Sequence, residues 1–318
     1  MSRLAAVGLA AILSGSPAPQ QRQDPIKSSV DLVQVDAVVL GSDGTPIPGL
    51  QRSDFQLFVE GQPVPIQTFV PVTPDDKARG GRFVVLLLDD LLSDPIHTWR
   101  IKQIARGFVS RMGPADEIAV LAINGSRMKS TTDRESLLTA VDRFTHHGRN
   151  STLQLQHIGR HALETIQEIT AQMAPVQGRR KSIVCIGSQG LFDIREPDPT
   201  ALTPRAEWIE AVRAAAAWNV SVYVIDPRGL AGGTNDGVSG LAGETGGRAF
   251  VNTNQFDRAV DQIWREIGTY YLLGFDATAL GVGDDLREIQ VRVSVPGADV
   301  KARRSVAVSS TSAPARQP

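Results

Sequence analysis

The sequence predicts an α/β protein in which a doubly wound, mostly parallel sheet is inserted into a small β-sandwich formed by the N- and C-terminal flanks. Three observations carry this expectation. Between residues 81 and 268, apolar strands alternate with amphipathic helices, the pattern of right-handed βαβ crossovers around one sheet. Within that block, Arg82-Phe-Val-Val-Leu-Leu-Leu-Asp-Asp-Leu-Leu-Ser-Asp94 starts as a strand apolar on both faces, hence central, and stops on two carboxylates. β texture lies on both sides of the block, over 28–72 and 269–308, so each flank has the other to pair with.

In the N-terminal flank, Val30 to Leu40 puts Val33, Val35, Ala37 and Val39 on one face by period two, and Ser42-Asp-Gly-Thr45 supplies a turn. Phe55 to Val59 and Pro65 to Val70 follow as short strands divided by Glu60-Gly61, and together these segments suggest a small antiparallel sheet. The block opens with the strand ending at Leu88. Next comes a helix with the stripe Ile101, Ile104, Phe108 and Met112, stopped by Gly113-Pro114. A strand at Ile118 to Ile123 and a helix at Asp133 to Phe144 precede a long helix at Thr152 to Met173, striped by Leu155, Ile158, Ala162, Ile166 and Ile169. Then come a strand at Ser182 to Ile186, a helix at Arg205 to Trp218 and a strand at Val220 to Ile225. The glycine-rich 228–247 reads as a flexible loop around a short helix, Arg248 to Val251 as a short strand, and Gln255 to Ile267 as the last helix. The C-terminal flank offers Tyr270 to Phe275, an alternating strand at Glu288 to Val295, and Val300 to Val308, before a disordered tail at 309–318.

A net charge of −1 with interspersed signs gives no basic face, so no nucleic-acid partner is expected. Residues 1–22 carry one early cation, a short apolar run and then small residues, the layout of a secretory signal peptide, which predicts export to a periplasmic or extracellular location. No cysteine follows that run to take a lipid anchor, and no transmembrane segment is expected once the signal is removed. Cys185, the single cysteine, sits in an apolar strand and reads as a small buried hydrophobe.

Asp89, Asp90 and Ser93 lie beyond the carboxyl end of a central strand, where open α/β sheets bind ligands. Their structural reading is a helix cap or strand terminator. Paired acids also suggest a metal-dependent hydrolase or phosphatase, although Leu91 stands where an aspartate phosphatase needs its second acid. Ser188 lacks the glycine two residues ahead that a nucleophile elbow requires, and His157 and His161 lack the glutamate of a zinc-protease helix. The glycine-rich loop has no Gly-Lys-Ser/Thr ending for phosphate.

In this order of strands and helices, the central block resembles a von Willebrand factor A domain, a Rossmann-like fold. The whole chain from Val30 to Val308 is similar to the bacterial exported VWFA-related domain proteins found notably in Acidobacteria. The likeness rests on Asp31-Leu-Val-Gln-Val-Asp36, Pro48-Gly-Leu50, Asp54-Phe55 and Val59-Glu-Gly61, on Leu241-Ala-Gly-Glu-Thr-Gly-Gly-Arg-Ala-Phe250, and on Thr269-Tyr-Tyr-Leu-Leu-Gly-Phe275. The resemblance implies a non-enzymatic protein-binding or adhesion module. It also implies a metal-ion-dependent adhesion site, in which Mg²⁺ or another divalent cation is held by an Asp-x-Ser-x-Ser loop, a distant Thr and a distant Asp and receives an acidic side chain from a protein partner. Asp89 matches the first aspartate, Ser93 the second serine and Thr152 the threonine, while Leu91 replaces the first serine and Gln189 the last aspartate. Asp90 offers a substitute carboxylate. Two altered positions imply weak or absent metal, and a ligand face of Asp89, Asp90, Ser93, Thr152, Ser188 and Gln189.

Overall fold

The computed structural model describes residues 32–74, 81–91, 93–125, 127–146, 152–187, 205–232, 236–281 and 286–307, with backbone alone over 152–156, 205 and 236–239. The segments 1–22 and 309–318, read as signal and tail, lie outside the described residues. The chain enters on β1 (Leu32–Leu40), buried throughout from Val35 to Leu40. β2 (Phe55–Val59) and β3 (Gln62–Val64) form a hairpin whose turn residues, Glu60 and Gly61, have φ of 48° and 75°, as a primed two-residue turn requires. β4 (Thr68–Val72) carries Pro71 and is an edge strand, where a missing N–H is tolerated.

The α/β block then runs through β5 (Phe83–Leu88), α1 (Thr98–Arg111), β6 (Glu117–Ala122), β7 (Ser130–Thr131), α2 (Arg134–Arg143) and α3 (Thr152–Gln172). It continues with β8 (Lys181–Ile186), α4 (Arg205–Ala217), β9 (Val220–Ile225), α5 (Asp236–Glu244), β10 (Ala249–Phe250) and α6 (Phe256–Gly268). Its six strands lie in the order β10-β9-β8-β5-β6-β7, parallel except for β7. This is a doubly wound sheet whose order reverses between β5 and β8. Residues 83–88 are all buried because each face of β5 has its own helical layer. Val84, Leu86 and Leu88 pack with α1, α2 and α6, and Phe83, Val85 and Leu87 with α3, α4 and α5.

The chain leaves through β11 (Tyr270–Asp276), β12 (Leu286–Val293), β13 (Asp299–Ala302) and β14 (Ser305–Ala307). The N-terminal strands do not form a sheet of their own, contrary to the sequence expectation. They divide between two four-stranded sheets, β13-β1-β11-β4 and β14-β12-β2-β3, because β1 is buried on both faces and takes a neighbour on each side. The single strand expected over 300–308 is likewise two, one in each sheet, broken at Arg303-Arg304. Arg303 turns its buried side chain onto the carbonyl of Ala216 at 2.9 Å and onto Asn219, and this turn carries the chain between sheets. Odd positions of β1 (Val35, Ala37, Val39) join Phe55, Leu57, Tyr271, Phe275 and Ile289 in one hydrophobic cluster shared by both sheets.

Even positions of β1 face the α/β block, and one of them is Asp36. Asn219 donates to Asp36 Oδ1 at 2.8 Å, and Arg180 Nε lies 3.5 Å from Oδ2, with both side chains buried. Arg180 also donates to the Glu266 carbonyl at 3.0 Å and to Ser221 Oγ at 3.3 Å, and its guanidinium lies over the Tyr270 ring. Glu266, fully buried, pairs with Arg248 at 3.1 Å and accepts from Gln262 at 2.9 Å. Burial pushes the Glu266 carboxyl above its ordinary range, against the downward pull of Arg248 and Gln262. Burial also draws the Arg303 guanidinium down to about 10.

Stripping one member from such a network leaves the others charged and dry. Asp36→Ala is therefore expected to lower unfolding free energy by about 3 kcal/mol in urea titrations, with the secondary structure of the folded state retained.

A second ion pair closes the start of the block. Asp116 accepts from Arg82 Nη2 at 2.5 Å and Nε at 2.9 Å, and from the N–H groups of Arg82 and Gly113 at 2.9 and 2.6 Å. Burial raises the Asp116 pKa, but these donors together outweigh it and hold the carboxyl below its ordinary value. A depressed carboxylate stabilises the fold above its unfolded pKa of about 4, and that stabilisation is lost as pH falls through the lower, folded value. The stability gap between wild type and Asp116→Asn is expected to be full at pH 6 and to shrink as pH drops below about 4, read by thermal melts.

Candidate functional site

The parallel ladder runs one residue past each central strand. Asp89 N–H donates to the Ile186 carbonyl at 3.1 Å, Gly187 N–H to Ile225 at 3.1 Å, and Asp226 N–H to Phe250 at 3.0 Å. Asp89, Gly187 and Asp226 therefore stand in a row on the carboxyl edge, with Asp89 and Gly187 flanking the point where strand order reverses. A Cβ on Gly187 would lie 2.4 Å from Asp89 Cβ, so only glycine leaves the aspartate its place.

Asp89, Asp90 and Ser93 come together here, all buried. Asp89 Oδ1 accepts from Leu91 N–H at 3.1 Å and Oδ2 from Ser93 Oγ at 2.7 Å, so the loop folds back onto its own carboxylate. Asp90 Oδ1 accepts from the Asn124 N–H at 3.2 Å and ties β5 to the loop after β6. Buried carboxylates need such donors, which explains why the chain turns sharply at this point. Leu91 packs against the apolar cluster under α3 and α4. The expected helix-capping role belongs to Asp94, which accepts from Ile96 N–H at 3.0 Å ahead of Pro95.

Thr152 opens α3, but its side chain, like Ser188 and Gln189, lies outside the described residues. His157 and His161 are exposed on α3. Cys185 is buried, and burial, followed by the charge of Asp89, pushes its thiol far above the ordinary range, which leaves it chemically inert. No group of three His, Cys, Asp or Glu side chains capable of holding a metal occurs among the described residues. Of the oxygens in the described loop, Asp89 Oδ2 and Ser93 Oγ are hydrogen-bonded to one another and Asp90 Oδ1 accepts from Asn124 N–H, while Leu91 supplies none.

Two features of this edge escaped the sequence reading. Asp226 is a third buried strand-end carboxylate, gripped by Arg228 through its N–H at 2.9 Å, Nε at 3.1 Å and Nη2 at 2.8 Å. The signal was present, since Asp226 follows the apolar Val220 to Ile225 as Asp89 follows Leu88. The other feature is an apolar rim. Ile96 is 69% exposed, Trp99 58% and Leu230 64%, the first two just beyond Ser93 and the third just beyond Asp226. Arg100 joins them: it donates to the Pro227 carbonyl at 2.8 Å, and its guanidinium lies 5.0 Å from the Trp99 ring and 5.2 Å from the Phe256 ring. By contrast, a cleft of about 270 Å³ lies at the opposite end, among Val72, Arg82, Asp116, Arg180 and Tyr270, where the charged groups are already paired.

No family model matches the sequence, and no curated protein matches it. Among solved structures, the chain is similar to the manganese-loaded TRAP protein of Plasmodium vivax, with 13% identity over 74% of this chain and 96% of that one, at a TM-score of 0.35. It is also similar to the human COPII-coat protein Sec24c, with 10% identity over 76% of this chain and 46% of that one, at a TM-score of 0.32.

Ser93→Ala removes a buried hydrogen bond to a carboxylate and is expected to lower stability by about 1.5 to 3 kcal/mol, read by chemical denaturation. Gly187→Ala, which drives a methyl into Asp89, is expected to lower it by about 1 to 3 kcal/mol.

Proposed function

We propose that this chain is a von Willebrand factor A-like protein-interaction module whose binding face is the carboxyl edge of the six-stranded sheet. In this reading the two four-stranded sheets act as a β-sandwich that carries the α/β block. The observation that supports it is the pairing of a buried carboxylate loop at the order-reversal point with an exposed apolar rim on the same edge. Ligands of open α/β sheets bind at that point, and exposed aromatic and aliphatic side chains grouped beside it favour a protein surface over a small polar substrate. The layout of residues 1–22 supports an exported, periplasmic or extracellular protein. Among the described residues no helix is long and apolar enough to cross a membrane. Any divalent cation is bound weakly, because Leu91 and Gln189 replace oxygen and carboxylate ligands.

A photo-crosslinking residue introduced at the exposed Asp94 is expected to give discrete protein adducts in the native envelope. The same residue at the exposed Ala115, on the amino edge, should give none. Equal adducts from both sites, or none from Asp94, would overturn the assignment of the face. On the purified protein, titration calorimetry with Mg²⁺ and Mn²⁺ is expected to show no saturation below about 1 mM. Metal-dependent turnover of phosphomonoester or ester substrates that is abolished by Asp89→Ala would instead establish the hydrolase alternative through Asp89-Asp90.

A further inference from the structure

The rim carries an arginine that forms no ion pair among the described residues. On the same helix Arg111 pairs with Asp257 and Asp261, and in the adjoining loop Arg228 pairs with Asp226. Arg100 pairs with no carboxylate among the described residues; one nitrogen is used on the Pro227 carbonyl and the guanidinium lies against two aromatic rings. A guanidinium has five N–H donors in a planar fork, so most of Arg100's recognition capacity is uncommitted.

The surroundings of this fork restrict what can meet it. Trp99 belongs to neither hydrophobic layer of the α/β block, although it is the largest side chain of α1. Ile96 precedes it by one turn of the chain. Leu230 adjoins Gly229, where an added Cβ would lie 3.6 Å from Arg100 Nη1. Nothing in the fold requires these three apolar groups to face water. A tryptophan beside an uncommitted arginine is the composition from which interfaces draw most of their binding energy. A neutral apolar partner would bury the fork without satisfying it, at a desolvation cost; a carboxylate set among apolar side chains satisfies both parts.

We propose that Ile96, Trp99 and Leu230, arranged around Arg100, dock a protein segment in which apolar side chains adjoin a carboxylate. The acid is received by the Arg100 fork rather than by a divalent cation, a proposal that rests on the reading of the carboxyl edge as a protein-binding face. The acid-for-cation contact that the resemblance implies is thereby moved from the Asp89 loop to a permanent side-chain cation on the same edge.

Fluorescence polarisation with labelled, end-capped hexapeptides tests this. One set alternates leucine or phenylalanine with aspartate, and a matched set replaces aspartate by asparagine, each measured with EDTA and with Mg²⁺. The aspartate peptides are expected to bind equally well in EDTA and about ten-fold more tightly than their asparagine counterparts. Trp99→Ser and Arg100→Gln should each weaken them by about ten-fold or more. Arg100→Gln also loosens the contact with Pro227, so Trp99→Ser, fully folded by circular dichroism because the side chain lies outside the core, is the deciding variant. Equal affinity for the asparagine set, unchanged affinity in Trp99→Ser, or no peptide binding at all would overturn the proposal. Strict Mg²⁺ dependence with loss in Asp89→Ala would overturn it too, yet leave the carboxyl edge standing as the interaction face. That face itself falls only with the Asp94 crosslinking result.

Discussion

Arg180 is the side chain on which the arrangement of this chain turns. It lies where β8 begins, and its reach connects three segments far apart in sequence: Asp36 on the first strand, the end of α6 at Glu266, and the head of β11 at Tyr270. Through Asn219 the same network takes in Arg303, where the chain changes sheets. Two flanks that enter and leave the α/β block are thus fastened to it at one buried cluster. The Asp36 Oδ2 to Arg180 Nε contact at 3.5 Å lacks hydrogen-bond geometry, so that part of the attraction is Coulombic, while directional bonds to Ser221 and the Glu266 carbonyl fix the guanidinium. Buried ions are weak evidence of net stability, because desolvation offsets much of the attraction. What such a cluster supplies is register: a one-residue slip of β1 would move Asp36 to the apolar face shared by the two sheets and carry Val35 or Ala37 to Arg180.

That fastening lies at the amino end of the six-stranded sheet, opposite the carboxyl edge. At β5 and β9 the residue just past the strand still donates its N–H to the ladder, and its side chain is a buried carboxylate that accepts from its own loop. Asp89 and Asp226 are alike in this respect, one closed by Ser93 and Leu91 N–H, the other by Arg228. Arg100, which follows the first of these loops, is tied to the second by its bond to the Pro227 carbonyl.

Much of this was legible in the residues, and the limits have physical causes. Apolar runs such as Phe83 to Leu88 and Val220 to Ile225 admit little but central parallel strands, and the stripe Ile101, Ile104, Phe108 sets the inward face of α1. The place of Asp89, Asp90 and Ser93 followed from the first of these runs. Strand partners in the flanks did not follow, because period-two patterning tells which face of β1 is buried but not that both are, nor which of two sheets a strand joins. The break at Arg303 was hidden for a related reason: its buried charge is stabilised by Asn219 and the end of α4, partners no local pattern reveals. The rim was half visible. Trp99 falls outside the apolar stripe of α1, which was signal enough to expect exposure, but the stacking of Arg100 on Phe256 depends on α6 crossing beside α1.

The comparison between the Asp89 loop and Arg100 comes down to how each meets an acid. Mg²⁺ demands near-octahedral oxygen ligation while keeping several of its waters, so the few side-chain oxygens it takes must be well placed, and Leu91 offers none. An arginine on a helix needs no cage. Its charge is covalently fixed, its fork matches a carboxylate, and the flanking Trp99 and Phe256 rings hold its plane while shielding it from solvent on their sides. Such a contact weakens with salt rather than with chelator, since surface charge is screened while no ion is lost. On the reading proposed above, an edge that holds a guanidinium in an apolar frame beside the Asp89 loop can receive an acidic segment with the cation supplied by the chain itself.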